Sequence, residues 1–250
     1  MTKLRCFARR EDVTAAAAAT IGTLLRVKPD AAIGLATGRT QEPLFAELLR
    51  LHRNGQIFFR YARFFHLDEY LGLPASAPES MSGSLDRMFV GQADANPANF
   101  HRVDGTAQDP AKEAARYEDV IRAAGGIDLQ ILGMGTNGHI AFNEPGSPHN
   151  SRTRLVRLTP ETVEANKDFF PQGAKVPDQA ISMGIATILE TKSVLMLVTG
   201  ASKRKALQDA LERPASVDCP ASALRAHKDC TWICDNDAAA GLSPETRAQT

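Results

Sequence analysis

The sequence predicts an α/β protein: a three-layer, mostly parallel, Rossmann-like sheet with helices on both faces. Three observations predict it. Short apolar runs alternate with amphipathic stretches along the chain, the pattern of successive β-α units. The run Val194–Val198 is apolar without a break, as a strand buried on both faces of a parallel sheet requires. A chain of 250 residues that is 43% apolar can bury one continuous core without disulfides or metal.

The elements follow in order. Residues 12–27 read as an alanine-rich helix. Ala31–Ala36 is a short buried strand that opens the sheet, and residues 42–53 return to helical spacing. Ala62–Leu67 is a second strand. The clearest helix is 110–124: Asp109 can cap it, Pro110 suits its first turn, and Gly125 can end it. Tyr117, Val120, Ile121 and Ala124 fall on one face of that helix. Ile127–Leu132 is the next strand. Val194–Val198 is followed by a helix from Ser202, and Thr231–Cys234 is the last strand. No repeat, linker or composition break divides the chain, so 1–250 reads as a single domain. The polar stretch 158–181, punctuated by Pro160, Pro171 and Pro177 nearby, reads as a mobile flap, and 236–250 as a disordered tail.

Composition narrows the function. The formal charge is zero and the pI about 7, so no bulk basic face offers itself to nucleic acid or to an anionic membrane. No apolar stretch follows the N-terminus as a signal peptide would, and Ala15–Ala19 is too short to span a bilayer. A cytoplasmic protein is expected. Cys6, Cys219, Cys230 and Cys234 read as free, mostly buried thiols of a reducing compartment. A zinc site from Cys219, His227, Cys230 and Cys234 is disfavoured, because Cys234 lies in a strand and the spacing lacks a C-x-x-C knuckle.

Chemistry-bearing residues collect after the strands. In open parallel sheets, ligands bind beyond the strands' carboxyl ends. Thr37, Gly38, Arg39 and Thr40 follow the first strand and precede a helix, an arrangement suited to a phosphate. Lys203, at the start of another helix, adds a point charge. Asp68, after the second strand, suits a general base for a C–H proton beside a carbonyl. His139 ends the glycine-rich segment Gly135–His139 and is the residue type suited to proton transfer, with Glu144 close behind to orient it. Gly133–Gly138 also matches G-x-G-x-x-G, but Asn143, Pro145 and Gly146 preclude the long helix a dinucleotide site needs.

Two segments carry a family resemblance. Phe65–Leu73, containing Asp68-Glu69-Tyr70-Leu71-Gly72-Leu73, and Leu132–Gly146, containing Asn137-Gly138-His139-Ile140-Ala141-Phe142-Asn143-Glu144-Pro145-Gly146, resemble the glucosamine-6-phosphate deaminase/isomerase family. The similarity continues through Ser151–Arg154, Ala165-Asn166, Phe169-Phe170 and Pro220–Leu224, and spans about residues 10–235. It implies cofactor-free, metal-free conversion of an amino-sugar phosphate to fructose 6-phosphate and ammonia. By position, Asp68 would move a proton from C2 to C1. His139 would open the sugar ring, with Glu144 orienting it and Asn137 beside it. Thr37, Gly38, Arg39, Thr40 and Lys203 would hold the phosphate. The implied partner is a small phosphorylated amino sugar, not nucleic acid or membrane, and a homo-oligomer is left open because members vary.

Several positions depart from the family pattern. Asn137 stands where some members have aspartate, and Gln41 where proline usually follows the phosphate loop. Asp168 occupies a flap position where an arginine often reaches the phosphate, which casts Arg39 as its replacement. Val156 replaces a lysine linked with allosteric activation, so no such control is expected. The rival readings are a galactosamine-6-phosphate deaminase, a 6-phosphogluconolactonase and a sugar-phosphate-sensing regulator domain. Tyr70, where lactonases usually carry arginine, and the Asn143-Glu144-Pro145 run favour the glucosamine reading.

Overall fold

A computed structural model describes residues 2–248. Its strands are β1 (Thr2–Phe7), β2 (Ala32–Leu35), β3 (Arg63–His66), β4 (Asp68–Tyr70), β5 (Phe100–His101), β6 (Leu129–Gly133), β7 (Arg154–Arg157), β8 (Gln179–Ser182), β9 (Ser193–Val198) and β10 (Cys230–Asp235). Its α-helices are α1 (Arg10–Val27), α2 (Glu42–Arg53), α3 (Met81–Met88), α4 (Pro110–Ala123), α5 (Pro160–Ala165), α6 (Ile185–Leu189), α7 (Arg204–Glu212), α8 (Asn236–Ala239) and α9 (Pro244–Arg247).

A seven-stranded sheet in the order β1-β10-β9-β6-β2-β3-β5 forms the centre, and every pairing in it is parallel. Side chains alternate across it with a period of two. Val194, Met196, Val198, Trp232 and Cys234 pack on one side with Tyr117 of α4 and Leu207 of α7. Leu195, Leu197 and Ile233 pack on the other with Ile21 of α1 and Leu44 of α2. The three-layer architecture expected from the sequence is therefore the one observed. Helix α4 forms for the reasons given above: the Asp109 carboxylate accepts the N–H groups of Ala111 and Lys112, each at 3.1 Å.

Three features differ from expectation. The sheet opens at β1, before residue 31, with Thr2–Phe7 paired in register to Cys230–Asp235. This edge strand alternates buried Leu4 with outward Lys3 and Arg5, too short a pattern to stand out. A second, antiparallel sheet, β4-β8-β7, also forms. Only Leu67 separates β4 from β3, and the segment after the expected strand Ala62–Leu67 is itself a strand, of the second sheet. The expected disordered tail is corrected over 236–248. Asp235 accepts the N–H of Ala238 at 2.8 Å to cap α8, Ala238 and Ala239 are buried, and Ser243 caps α9. The small alanines that made this segment look featureless are what let it pack closely. Residues 249–250 lie outside the described ones.

The topology brings the site together. The chain leaves β2 toward β3 and β5 on one side, then returns to build β6, β9 and β10 on the other. The switch point thus falls between β2 and β6, where a ligand crevice is expected. The four segments singled out in the sequence follow β2, β3, β6 and β9, which are consecutive neighbours in the sheet. Among the described residues, no helix is long and apolar enough to cross a membrane.

Candidate active site

A cavity of about 570 Å³ lies beyond these strand ends, within the size range of small-molecule sites. Thr37, Gly38, Arg39, Thr40, Asp68, His139 and Lys203 all line it. Asn137 and Glu144 stand behind His139 and reach the cavity through it.

The two adjacent carboxylates of Asp68-Glu69 are separated by strand alternation. Glu69 turns away and is saturated: it accepts from Ser80 Oγ and Ser82 Oγ at 2.7 Å and from the N–H groups of Tyr70, Met81 and Ser82. It secures the start of α3. Asp68 faces the cavity while only 6% exposed. Burial, reinforced by the Glu69 charge and only partly offset by the Phe142 N–H, raises its pKa to about 7. A carboxylate so placed is a stronger base than an ordinary aspartate and can still lose its proton near neutrality.

His139 sits on a tight loop after β6. Gly138 adopts φ 85°, and the Gly138 N–H closes onto the Gly135 carbonyl at 3.1 Å. A Cβ at Gly135 would lie 2.3 Å from the imidazole, so only glycine leaves room for the ring there. Glu144 Oε2 lies 3.5 Å from His139 Nδ1, longer than a formed hydrogen bond. The same oxygen accepts Asn137 Nδ2 at 2.9 Å, while Asn137 Oδ1 accepts the His139 N–H at 3.1 Å. Glu144 Oε1 accepts the Thr162 hydroxyl. Burial pushes the Glu144 carboxyl up, but His139, Thr162 and Asn137 outweigh it and hold the group below its usual range. Between them, Ala141 takes φ 50°, the one non-glycine residue with positive φ among those described. Such strain needs a surrounding structure to enforce it; buried Asn143 supplies that, donating to the carbonyls of Ile140 and Met183.

The other end of the cavity is cationic. Gly38, at φ 135°, turns the chain so that Thr37–Thr40 wraps the start of α2. Helix starts of this kind bind anions. Across the cavity, burial holds the Lys203 ammonium below its usual pKa. The Thr199 hydroxyl and Gln41 Nε2 are buried without a hydrogen-bond partner, and both residues line the cavity. Unpaired buried polar groups are costly unless a ligand satisfies them.

The structure adds residues that the sequence reading missed. Arg10, in the first turn of α1, lines the cationic end; a Cβ on Gly200 would lie 3.7 Å from its guanidinium. An arginine at a helix start opposes the helix dipole, and that was the available signal. Thr162, Asn166 and Tyr70 also line the cavity, with Asn166 Nδ2 donating to the Tyr70 hydroxyl at 2.9 Å. Asp168 pairs with Arg39 at 2.8 Å, and the Arg39 guanidinium lies 5.7 Å from the Phe169 ring. Both partners of that ion pair are about two-thirds or more exposed (69% and 75%), so it contributes little stability by itself.

Comparison with known proteins shows what the whole chain is similar to. The family model described as glucosamine-6-phosphate isomerases/6-phosphogluconolactonase matches residues 8–232. Glucosamine-6-phosphate deaminase 1 of Giardia intestinalis is 44% identical over 219 residues, covering 87% of this chain and 82% of that protein. The glucosamine-6-phosphate deaminase of Bacillus velezensis is 42% identical over 231 residues, covering 92% and 96%. The solved structure of a monomeric glucosamine-6-phosphate deaminase superposes with a TM-score of 0.93 at 39% identity, covering 96% of this chain and 99% of that one. The 6-phosphogluconolactonase of Trypanosoma brucei shares the fold, with a TM-score of 0.78 at 22% identity over 97% and 99% of the two chains.

Proposed function

The chain belongs to the family of glucosamine-6-phosphate isomerases and 6-phosphogluconolactonases, and from that premise we propose that it converts glucosamine 6-phosphate and water to fructose 6-phosphate and ammonia. It is an enzyme of the deaminase branch. One observation carries this reading: the cavity holds two separate acid–base centres, the buried Asp68 carboxyl and the His139–Glu144 pair. Lactone hydrolysis needs a base for one water. Aldose–ketose isomerisation of a closed sugar needs one group for ring oxygens and another for carbon-bound hydrogen. The deaminase relatives support it, at 42–44% identity in the two cases above.

The chemistry follows from the placement. His139 takes the proton from the O1 hydroxyl and delivers it to O5, so the C1–O5 bond breaks and an open-chain aldehyde forms. Glu144, itself held by Asn137, faces Nδ1 of the ring and orients it for that transfer. Asp68 removes the C2 proton; the electron pair moves through C1 to the carbonyl oxygen, which takes up a proton, giving an enolamine. Return of a proton to C1 leaves an imine at C2. Water adds there and ammonia departs. Thr37, Gly38, Thr40, Arg39 and Lys203 bind the phosphate at the far end, and that remote binding holds C1 and C2 against Asp68.

The segments contributing to the cavity come from both halves of the chain, so we read it as one catalytic domain with 158–181 as its flap. The substrate's charged phosphate keeps it from crossing membranes, and we assign the reaction to the cytoplasm. Purified protein is expected to release ammonia from glucosamine 6-phosphate without added metal or nucleotide. Ammonia from galactosamine 6-phosphate alone would change the substrate, and hydrolysis of 6-phosphogluconolactone without ammonia release would end the reading. Replacing Lys203 by alanine is expected to raise KM about 10- to 100-fold, the size of one lost charge-assisted contact, with a smaller change in kcat. An unchanged KM in steady-state kinetics would remove Lys203 from the phosphate site.

A further inference from the structure

Residues 162–168 contact the cavity wall at three separate places. Thr162 Oγ1 donates to Glu144 Oε1 beside His139. Asn166 donates to the hydroxyl of Tyr70, on the same short strand as Asp68. Asp168 pairs with Arg39 of the phosphate loop. These contacts are not equal. The Asp168–Arg39 pair is exposed, whereas Thr162 is 7% and Glu144 6% exposed, and their hydrogen bond is charge-assisted.

The Thr162 contact has a further distinction. Glu144 is held on Oε2 by Asn137, which belongs to the same loop as His139 and moves with it. Among the described residues, Thr162 is the hydrogen-bond donor that reaches this carboxylate from outside that loop. The Thr162 hydroxyl is itself oriented: Thr159 Oγ1 lies 3.3 Å from it as donor, which leaves the Thr162 proton for Glu144. Thr159 also caps α5, accepting the Thr162 N–H at 3.2 Å. The Glu144 carboxylate is therefore held between its own loop, through Asn137, and α5, through Thr162.

We propose that Thr162 is a positioning residue that makes the His139–Glu144 pair competent only when α5 is seated on it. The proposal rests on the roles assigned to His139 and Glu144 above. With α5 seated, Oε1 is satisfied and Oε2 faces His139 Nδ1. With α5 displaced, a buried carboxylate oxygen loses its donor, the group turns or takes a proton, and the imidazole loses its acceptor. Coupling of this kind is reciprocal: the Glu144 carboxylate must also hold α5 down.

Both directions can be measured. In Thr162→Val, kcat for glucosamine 6-phosphate is expected to fall about 10- to 100-fold with KM within about threefold, while Thr162→Ser, which keeps the hydroxyl, stays near wild type. In Glu144→Ala, backbone amides of residues 160–166 are expected to exchange with deuterium at least about fivefold faster, with α7 unchanged. A wild-type kcat in Thr162→Val, an equal loss in Thr162→Ser, or unaltered exchange in α5 would each overturn the proposal. The exchange measurement needs no turnover. A wild-type protein that releases no ammonia would sink the functional reading and leave the coupling to be decided by exchange alone.

Discussion

Asp68→Asn is expected to abolish incorporation of solvent deuterium at C2 of glucosamine 6-phosphate while substrate still binds through its phosphate. The amide is close in size and shape but cannot accept a carbon-bound proton. Loss of the base that acts on carbon removes the step itself, so kcat is expected to fall by about 10⁴-fold or more. The wild-type acid limb should follow the same group. Asp68 works as a base only when ionised, and its pKa is raised to about 7, so kcat/KM should climb as pH rises through that region. Deuterium exchange at the wild-type rate in the variant would take Asp68 out of the role.

The same substitution has an opposite effect on stability, and the sign can be worked out. An unfolded aspartate ionises near 3.8, whereas the folded Asp68 holds its proton to about 7. The folded state therefore binds more protons between those values, and the protein loses stability as pH rises across that window. The loss reaches a few kcal/mol at most, since each pH unit is worth about 1.4 kcal/mol. Asparagine stays neutral throughout. The variant should thus gain urea resistance over wild type at pH 8 and show no gain at pH 4. A site that is less stable with its working residue than without it is the usual signature of function built against folding.

The parts of this arrangement that were legible in the sequence share one property: each follows an apolar run long enough to read. The loops after β2, β3, β6 and β9 announced themselves by glycine, hydroxyl and charged residues at strand ends, and parallel topology did the rest. Asp68, His139 and Lys203 were found that way. What escaped had no periodicity to carry it. β4, β7 and β8 are three or four residues each, and their pairing is set by contacts distant in sequence. Thr162 lies in a helix of six residues whose meaning depends on Glu144, eighteen positions earlier along the chain. Asp168 was visible as a departure from pattern, but its pairing with Arg39 needed the two loops to be placed face to face. Where the resemblance led to an arginine being expected, this chain has an aspartate that pairs with an arginine of the opposite loop.

His139→Gln is expected to give a smaller and different loss from that of Asp68→Asn. Glutamine keeps a hydrogen-bonding side chain but cannot exchange protons near neutrality, so ring opening loses its catalyst, worth about 10²- to 10⁴-fold. The loss has a floor, because sugar hemiacetals open slowly in water without help. Once free substrate opens by itself, Asp68 and the phosphate site remain to process the aldehyde form. Turnover in the variant should therefore stop rising with enzyme concentration and level off at the rate of ring opening in solution. C2 exchange should persist at that same limiting rate. Glu144→Gln should lie between this variant and wild type, since the neutral amide leaves His139 in place but removes the carboxylate charge that faces the ring across the 3.5 Å contact. A His139→Gln rate that grows in proportion to enzyme at every concentration would mean that ring opening is catalysed by another group in the cavity, and the division of labour between Asp68 and His139 would have to be redrawn.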